Sequence, residues 1–226
     1  MESFVISIGG SVLVPDDNDA DYILSLAAMV KEISKSHKLY IVTGGGKIAR
    51  YYINCGRALG ANEKTLDELG IEVTRLNARL LIRALGESAY PKPANDIEEA
   101  SEAGQKYDIV VMGGTVPGHT TDSVSAELAE KVGAGGLVNA TNVDGVYDSD
   151  PAKNPDAKKF NKMSYDQLNS LVSGDHEKAG PNVIFDPKGA KIVERMRIPL
   201  LICNGRDIKT LKNAIIGKEF EGTCVL

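Results

Sequence analysis

Five short apolar runs recur along the chain, at residues 4–8, 39–43, 108–112, 136–140 and 200–203. Their apolar positions are continuous rather than alternating, as in strands that are covered on both faces of a sheet. Between the runs the apolar spacing changes to that of a helix. Ile23, Leu26, Ala27, Val30 and Ile33 share one face of a helix that Asp19 or Asp21 could cap, and residues 71–85 repeat the pattern. Further helices are expected over 48–59, 123–132, 165–172 and 190–197. Strands that alternate with helices predict an α/β protein, a three-layer α/β/α sandwich with a mostly parallel central sheet. There is no internal repeat. Residues 148–162, with two prolines, several lysines and few apolar positions, read as a surface loop or lid. A boundary between two lobes falls near 142–148, which divides one domain of residues 1–226 into an N-terminal lobe of about 1–140 and a C-terminal lobe of about 141–226.

Composition narrows this picture. A hydrophobic share of 42% in 226 residues is ample for a buried core and excludes a disordered chain. The net charge of −5 argues against a nucleic-acid groove or an anionic membrane surface, because both require a surplus of exposed Lys and Arg. Any anionic ligand must then be held by local groups. The N-terminal residues lack the basic leader and long apolar region of a signal peptide, and no apolar run approaches the roughly 20 residues that span a bilayer. A soluble cytoplasmic protein is the expectation. Cys55, Cys203 and Cys224 are odd in number and lack C-x-x-C spacing, so they are read as buried free thiols.

The 23 glycines exceed the usual share of roughly 7%, and the informative ones are clustered. Three expected strands end in glycine turns: Ile8-Gly9-Gly10-Ser11, Thr43-Gly44-Gly45-Gly46-Lys47 and Met112-Gly113-Gly114-Thr115. Ligands of open α/β sheets bind at the carboxyl ends of strands, so all three turns are expected to converge on one crevice. A turn without Cβ atoms lets backbone N–H groups approach an anion, and a following helix N-terminus adds partial positive charge. Three such turns suit more than one phosphate. The P-loop motif fails, since Lys47 is followed by Ile48 and position 41 is Ile. Gly44 to Ala49 satisfies G-x-G-x-x-A but leaves the other two turns unexplained. No G-x-S-x-G elbow exists, and His37, His119 and His176 have no metal-ligand spacing, so no protein metal ligands are assigned.

Phosphoryl transfer needs aligned donor and acceptor, screened charge and Mg²⁺. Lys47 and Arg50 lie in the first turn of the helix after Gly46, within reach of a bound phosphate. The segment Thr115-Val116-Pro117-Gly118-His119-Thr120-Thr121-Asp122 combines a rigid bend, three threonine hydroxyls and the cap of the next helix, and can wrap a polar small molecule. Asn142-Val143-Asp144-Gly145-Val146-Tyr147 leads to Asp150-Pro151 and offers an amide, a ring and carboxylates to a base and ribose. Arg75, Arg79 and Arg83 share one helix face and are read as solvated or interfacial.

Taken in order, these motifs resemble those of UMP kinases of the amino-acid-kinase superfamily, archaeal type, over about residues 4–216. The resemblance implies the amino-acid-kinase fold, phosphorylation of UMP to UDP by ATP with Mg²⁺ in pyrimidine nucleotide synthesis, and a homohexamer. It implies UMP contacts from Gly44, Asp67, Thr115, Val116, Pro117, Gly118, His119, Thr120 and Thr121. It places Gly9, Gly10, Gly45, Arg50, Thr141, Asn142, Tyr147 and Asp150 on the ATP side. Many members of the superfamily carry a lysine two residues before the first Gly-Gly, where it screens the transferred phosphate; this chain has Ser7 there. The charge is then expected from Lys47, from Lys191 in Asp186-Pro187-Lys188-Gly189-Ala190-Lys191, and from Arg50. The alternatives are a related kinase acting on a small carboxylate, a carbamate or an isoprenoid phosphate, and a nucleotide-binding regulator without turnover.

Overall fold

In the computed structural model, residues 1–15, 19–149, 151, 153–173 and 184–226 are described. In chain order the elements are β1 (Glu2–Ile8), α1 (Gly10–Leu13), α2 (Ala20–Ile33), β2 (His37–Thr43), α3 (Gly46–Ala58) and α4 (Glu63–Leu85). There follow α5 (Ile97–Ala103), β3 (Ile109–Met112), α6 (Thr121–Val132), β4 (Gly136–Thr141), β5 (Val146–Tyr147), β6 (Lys159–Phe160) and β7 (Lys162–Met163). The chain closes with α7 (Tyr165–Val172), α8 (Pro187–Met196), β8 (Leu200–Asn204), α9 (Ile208–Ile215) and β9 (Thr223–Val225).

The five apolar runs form the parallel centre of a seven-stranded sheet with the order β3-β2-β1-β4-β8-β9-β7. Among the described strands of this sheet only the β8–β9 pair is antiparallel, and β5 and β6 pair antiparallel as a separate two-stranded hairpin. Side chains of β1 alternate between two cores, as strand geometry requires. Phe4, Ile6 and Ile8 enter a core closed by α1, α2, α4 and α9, while Val5 enters the core closed by α5, α6, α7 and α8. This parity puts Ser7 on the α6–α8 face, which matters for the site. Helix α3 lies outside, on α4.

Four differences from the sequence reading have physical causes. Asp19 occupies the N-cap of α2 but caps no N–H; its carboxylate pairs with Arg206 at 3.4 Å. Helix α4 starts eight residues earlier than expected, capped by Asn62, whose side chain accepts from Thr65 N–H, and Gly70 in its interior interrupts the apolar spacing. The segment read as a loop or lid contributes β6 and β7: Thr223 accepts from Val146 N–H and donates to Phe160 O, and this ties the hairpin to β9. Such two-residue strands carry no periodic signal. Finally, Cys203 is buried, and burial pushes its thiol up to about 12, but Cys55 is exposed on α3. Among the described residues, no helix is long and apolar enough to cross a membrane.

Candidate functional site

The chain leaves β1 toward β2 and β3 on one side, and β4 and β8 lie on the other. The carboxyl ends of β1 and β4 therefore flank a topological switch point, where open α/β sheets hold ligands. Both neighbouring turns extend the ladder: Gly9 N–H donates to Ala140 O at 3.0 Å and Gly44 N–H to Ile8 O at 2.8 Å. The two turns then meet backbone to backbone. A Cβ on Gly10 would lie 2.2 Å from Gly46 N and 2.6 Å from Gly44 O, and Gly46 itself adopts a φ of 62°. Glycine is required here for close approach as well as for conformation.

A cleft of about 380 Å³ opens at this point. Its walls come from Gly9 to Val12, Gly44 to Gly46 and the Thr120-Thr121-Asp122 start of α6, with Thr141 and Asn142 at the end of β4. The N-termini of α3 and α6 both border it, so unpaired N–H groups and positive helix ends favour an anion. Arg50 is the lining cation, and its Nη2 donates to Ser11 Oγ at 3.4 Å.

Below, Ser7 and Asp122 form the feature that sequence reading did not assign. Ser7 Oγ donates to Asp122 Oδ1 at 3.2 Å. Loss of solvent is the main cause that pushes Asp122 up to about 6; the Ser7 hydroxyl opposes it, and the nearby Asp186 carboxylate adds to it. The position that the superfamily pattern gives to a lysine is thus occupied by a hydroxyl bonded to a desolvated acid.

The acceptor-side residues gather around the loop between β3 and α6. Asp67 Oδ2 accepts from Gly118 N–H at 2.8 Å, which joins two motifs 51 residues apart. Arg75 was read as a solvated or interfacial stripe residue, but its guanidinium donates to Gly114 O, Asn95 O and Thr115 O at 3.3 to 3.4 Å. Thr74 Oγ1 accepts from Gly114 N–H at 2.7 Å, and buried Asn77 donates to Gly44 O at 2.8 Å. Helix α4 therefore positions the glycine turns after β2 and β3 together. The third turn does not face the cleft as expected: Gly113 packs on α4, where a Cβ would meet Thr74 Oγ1 at 2.5 Å. Its glycines serve helix packing, while the residues beyond them, Thr120 and Thr121, reach the cleft.

On the other side, Tyr147 and Lys159 converge on Asp144, with the Tyr147 hydroxyl donating to Oδ1 at 2.9 Å and Lys159 Nζ at 3.0 Å from Oδ2. Partial burial works to raise the Asp144 carboxyl, but the Lys159 ammonium and Tyr147 hydroxyl hold it below its usual value. Asp150 lies outside the described residues. Lys47 and Lys191 are exposed and are not part of the cleft lining. Val116, Pro117 and Gly118 are also exposed, at the tip of the acceptor loop. Among the described residues, no group of three or more His, Cys, Asp or Glu side chains could hold a metal ion by itself.

Comparison with known proteins agrees with this geometry. The model of the amino acid kinase family matches residues 2–204. The chain is 48% identical to uridylate kinase of Methanoculleus marisnigri, over 100% of this chain and 94% of that protein. It is 49% identical to uridylate kinase of Pyrococcus abyssi, over 98% of both. The crystal structure of uridylate kinase from Archaeoglobus fulgidus superposes with a TM-score of 0.90 at 42% identity, covering 100% of both chains.

Proposed function

The chain belongs to the amino acid kinase family, and from its likeness to archaeal uridylate kinases along nearly their whole length we propose that it is a UMP kinase, which transfers the γ-phosphoryl group of ATP to UMP to give UDP. The observation that carries the reading is the joining of the Asp67 motif to the acceptor loop, whose far end forms one wall of a cleft bordered by two glycine turns. Two anions can be held there end to end. UMP lies toward Gly44, Asp67 and Thr115 to Thr121, in the lobe of about residues 1–140. ATP lies toward Gly9, Gly10, Gly45, Arg50, Thr141 and Asn142, with Tyr147 toward its nucleoside, and extends into the lobe of about 141–226; Asp150 joins this set by family resemblance alone.

Transfer between two polyphosphates asks for alignment and charge screening rather than a covalent intermediate. Backbone N–H groups of the turns after β1 and β2 hold the phosphates in line. Arg50 screens the transferred group from within the cleft, and Lys47 and Lys191 are the further cations, each exposed on a flexible stem. Mg²⁺ would fit the remaining requirement: Asp122 in the cleft wall would offer it a carboxylate oxygen, and magnesium is commonly held by one carboxylate plus substrate phosphates and waters. Bound there, it would neutralise charge on the bridging phosphate oxygens.

We assign the enzyme to pyrimidine nucleotide synthesis in the cytoplasm. We also assign it to a homo-oligomer, of six chains by family resemblance. Support comes from α3 and α4, which expose the large apolar side chains of Tyr51, Tyr52, Leu76 and Leu80, with Leu59 exposed just past the end of α3, and exposed apolar groups of this size suit an interface. Light scattering that returned the mass of one chain would contradict this assembly.

An ADP-release assay with UMP, CMP, dTMP, acetylglutamate and isopentenyl phosphate tests the activity. UMP is expected to give the highest kcat/KM. Preference for acetylglutamate or isopentenyl phosphate would assign a different acceptor, and no turnover with any of them would leave a nucleotide-binding protein.

A further inference from the structure

The acceptor loop is tied to α4 by Asp67 and Arg75, and on its other side His119 meets two further helices. Nδ1 of His119 is buried, has no hydrogen-bond partner among the described residues, and stands 3.4 Å from Oε2 of Glu127 on α6. Nζ of Lys188, in the first turn of α8, is 2.6 Å from Oε1 of the same carboxylate and 3.4 Å from Nε2 of the ring. A lysine ammonium has donors only, so in the neutral ring Nε2 is the acceptor and the proton sits on Nδ1, on the side of Glu127. Ring, carboxylate and ammonium lie in a ring of contacts across three elements, with the His119 Nδ1 to Glu127 link left just outside hydrogen-bond geometry.

We infer that Glu127 and Lys188 are positioning residues for the acceptor. Acting through His119, they form a clasp whose open link, His119 Nδ1–H to Glu127, closes when UMP seats in the loop. Lys188 sets the tautomer and Glu127 receives the proton's hydrogen bond. Neither residue touches the transferred group, so their contribution falls on acceptor binding rather than on the chemical step. The inference rests on reading this loop as the UMP site.

Two measurements test it together. Glu127→Gln keeps the size of the side chain and removes its charge, and it is expected to raise KM for UMP about tenfold, with kcat and KM for ATP within about twofold of wild type. A residue that merely supported the fold would not move one KM alone. The ¹⁵N spectrum of the His119 ring, assigned by comparison with His119→Asn and recorded above the ordinary histidine range, is expected to show the proton on Nδ1 in the wild type. In Lys188→Met it moves to Nε2, and Lys188→Arg restores it. An unchanged KM for UMP in Glu127→Gln, or a ring proton on Nε2 in the wild type, would overturn the clasp. If the wild type does not turn over UMP at all, the functional reading fails. The ring tautomer, measured without substrate, then still decides whether the clasp exists.

Discussion

Gly10→Ala is expected to cut turnover by about 10²-fold and to lower the melting temperature clearly, whereas Gly9→Ala next to it leaves the fold intact. The contrast follows from what each added methyl meets. At Gly10 it would stand 2.2 Å from Gly46 N, 2.4 Å from Gly45 C and 2.6 Å from Gly44 O, all backbone atoms that no rotamer change can move. The turns after β1 and β2 would have to separate, and Asn77, which donates to Gly44 O at 2.8 Å, would lose its partner in the buried interior. Overpacking of this kind costs typically 1–3 kcal/mol, and a shift of about 1 Å in positioning groups suffices for the expected rate loss. At Gly9 the nearest atoms are Ala140 O at 3.6 Å and Val12 Cγ2 at 3.7 Å, ordinary contact. Thermal denaturation and steady-state kinetics on the two variants check the claim. Equal effects at both positions would mean that phosphate contact alone, and not the meeting of two turns, explains these glycines.

Asp122→Asn is expected to change stability and activity in opposite directions. Burial holds the folded carboxyl at about 6, above its unfolded value near 3.9, so the folded protein binds the proton more tightly than the unfolded chain. Stability therefore falls as pH rises between roughly 4 and 6, and the full penalty of the ionised group is present above that window. Removing the charge is expected to stabilise the protein by on the order of 1–3 kcal/mol near neutral pH, with the difference from wild type shrinking as pH approaches 4. Turnover is expected to drop by about 10²-fold, because the carboxylate in the cleft wall that would hold Mg²⁺ beside the phosphates is gone. A destabilising charged group at a functional site is a common trade between stability and activity. Melting curves across this pH range, run beside kcat, check both halves; a variant less stable than wild type at neutral pH would show that Asp122 is a structural acid.

Much of the fold was legible because its determinants are local. Continuous apolar runs such as Phe4 to Ile8 mark buried strands, and the glycine turns after β1 and β2 sit where strand ends must bind ligands. The elements that escaped have no such signal. Helix α9 begins at an Asp207 cap that accepts from Lys209 and Thr210 N–H groups, a cue visible only once its short apolar face has found α2. Strands β5 to β7 and β9 exist through hydrogen bonds from residues distant in sequence, Thr223 above all. In the site, the bend and hydroxyls of Thr115 to Thr121 were legible as a ligand loop while Asp67 was named from resemblance alone, and one hydrogen bond joins the two. Asn77 and Thr74 were missed, yet each is a polar side chain at a core-facing position of α4, as Ser7 is within the apolar run of β1. A polar residue where the spacing demands an apolar one was the available sign. Glu127 and Lys188 carried none, since only the packing of α6 on α8 brings them to His119.

Direct transfer from ATP to UMP within one cleft is decided by a rapid-quench single turnover with γ-labelled ATP, UMP and Mg²⁺. The expected result is label appearing in the β-phosphate of UDP at the rate at which ATP is consumed, with no labelled protein at any time. Label held on the protein before UDP forms, or released as inorganic phosphate without UDP, would contradict it.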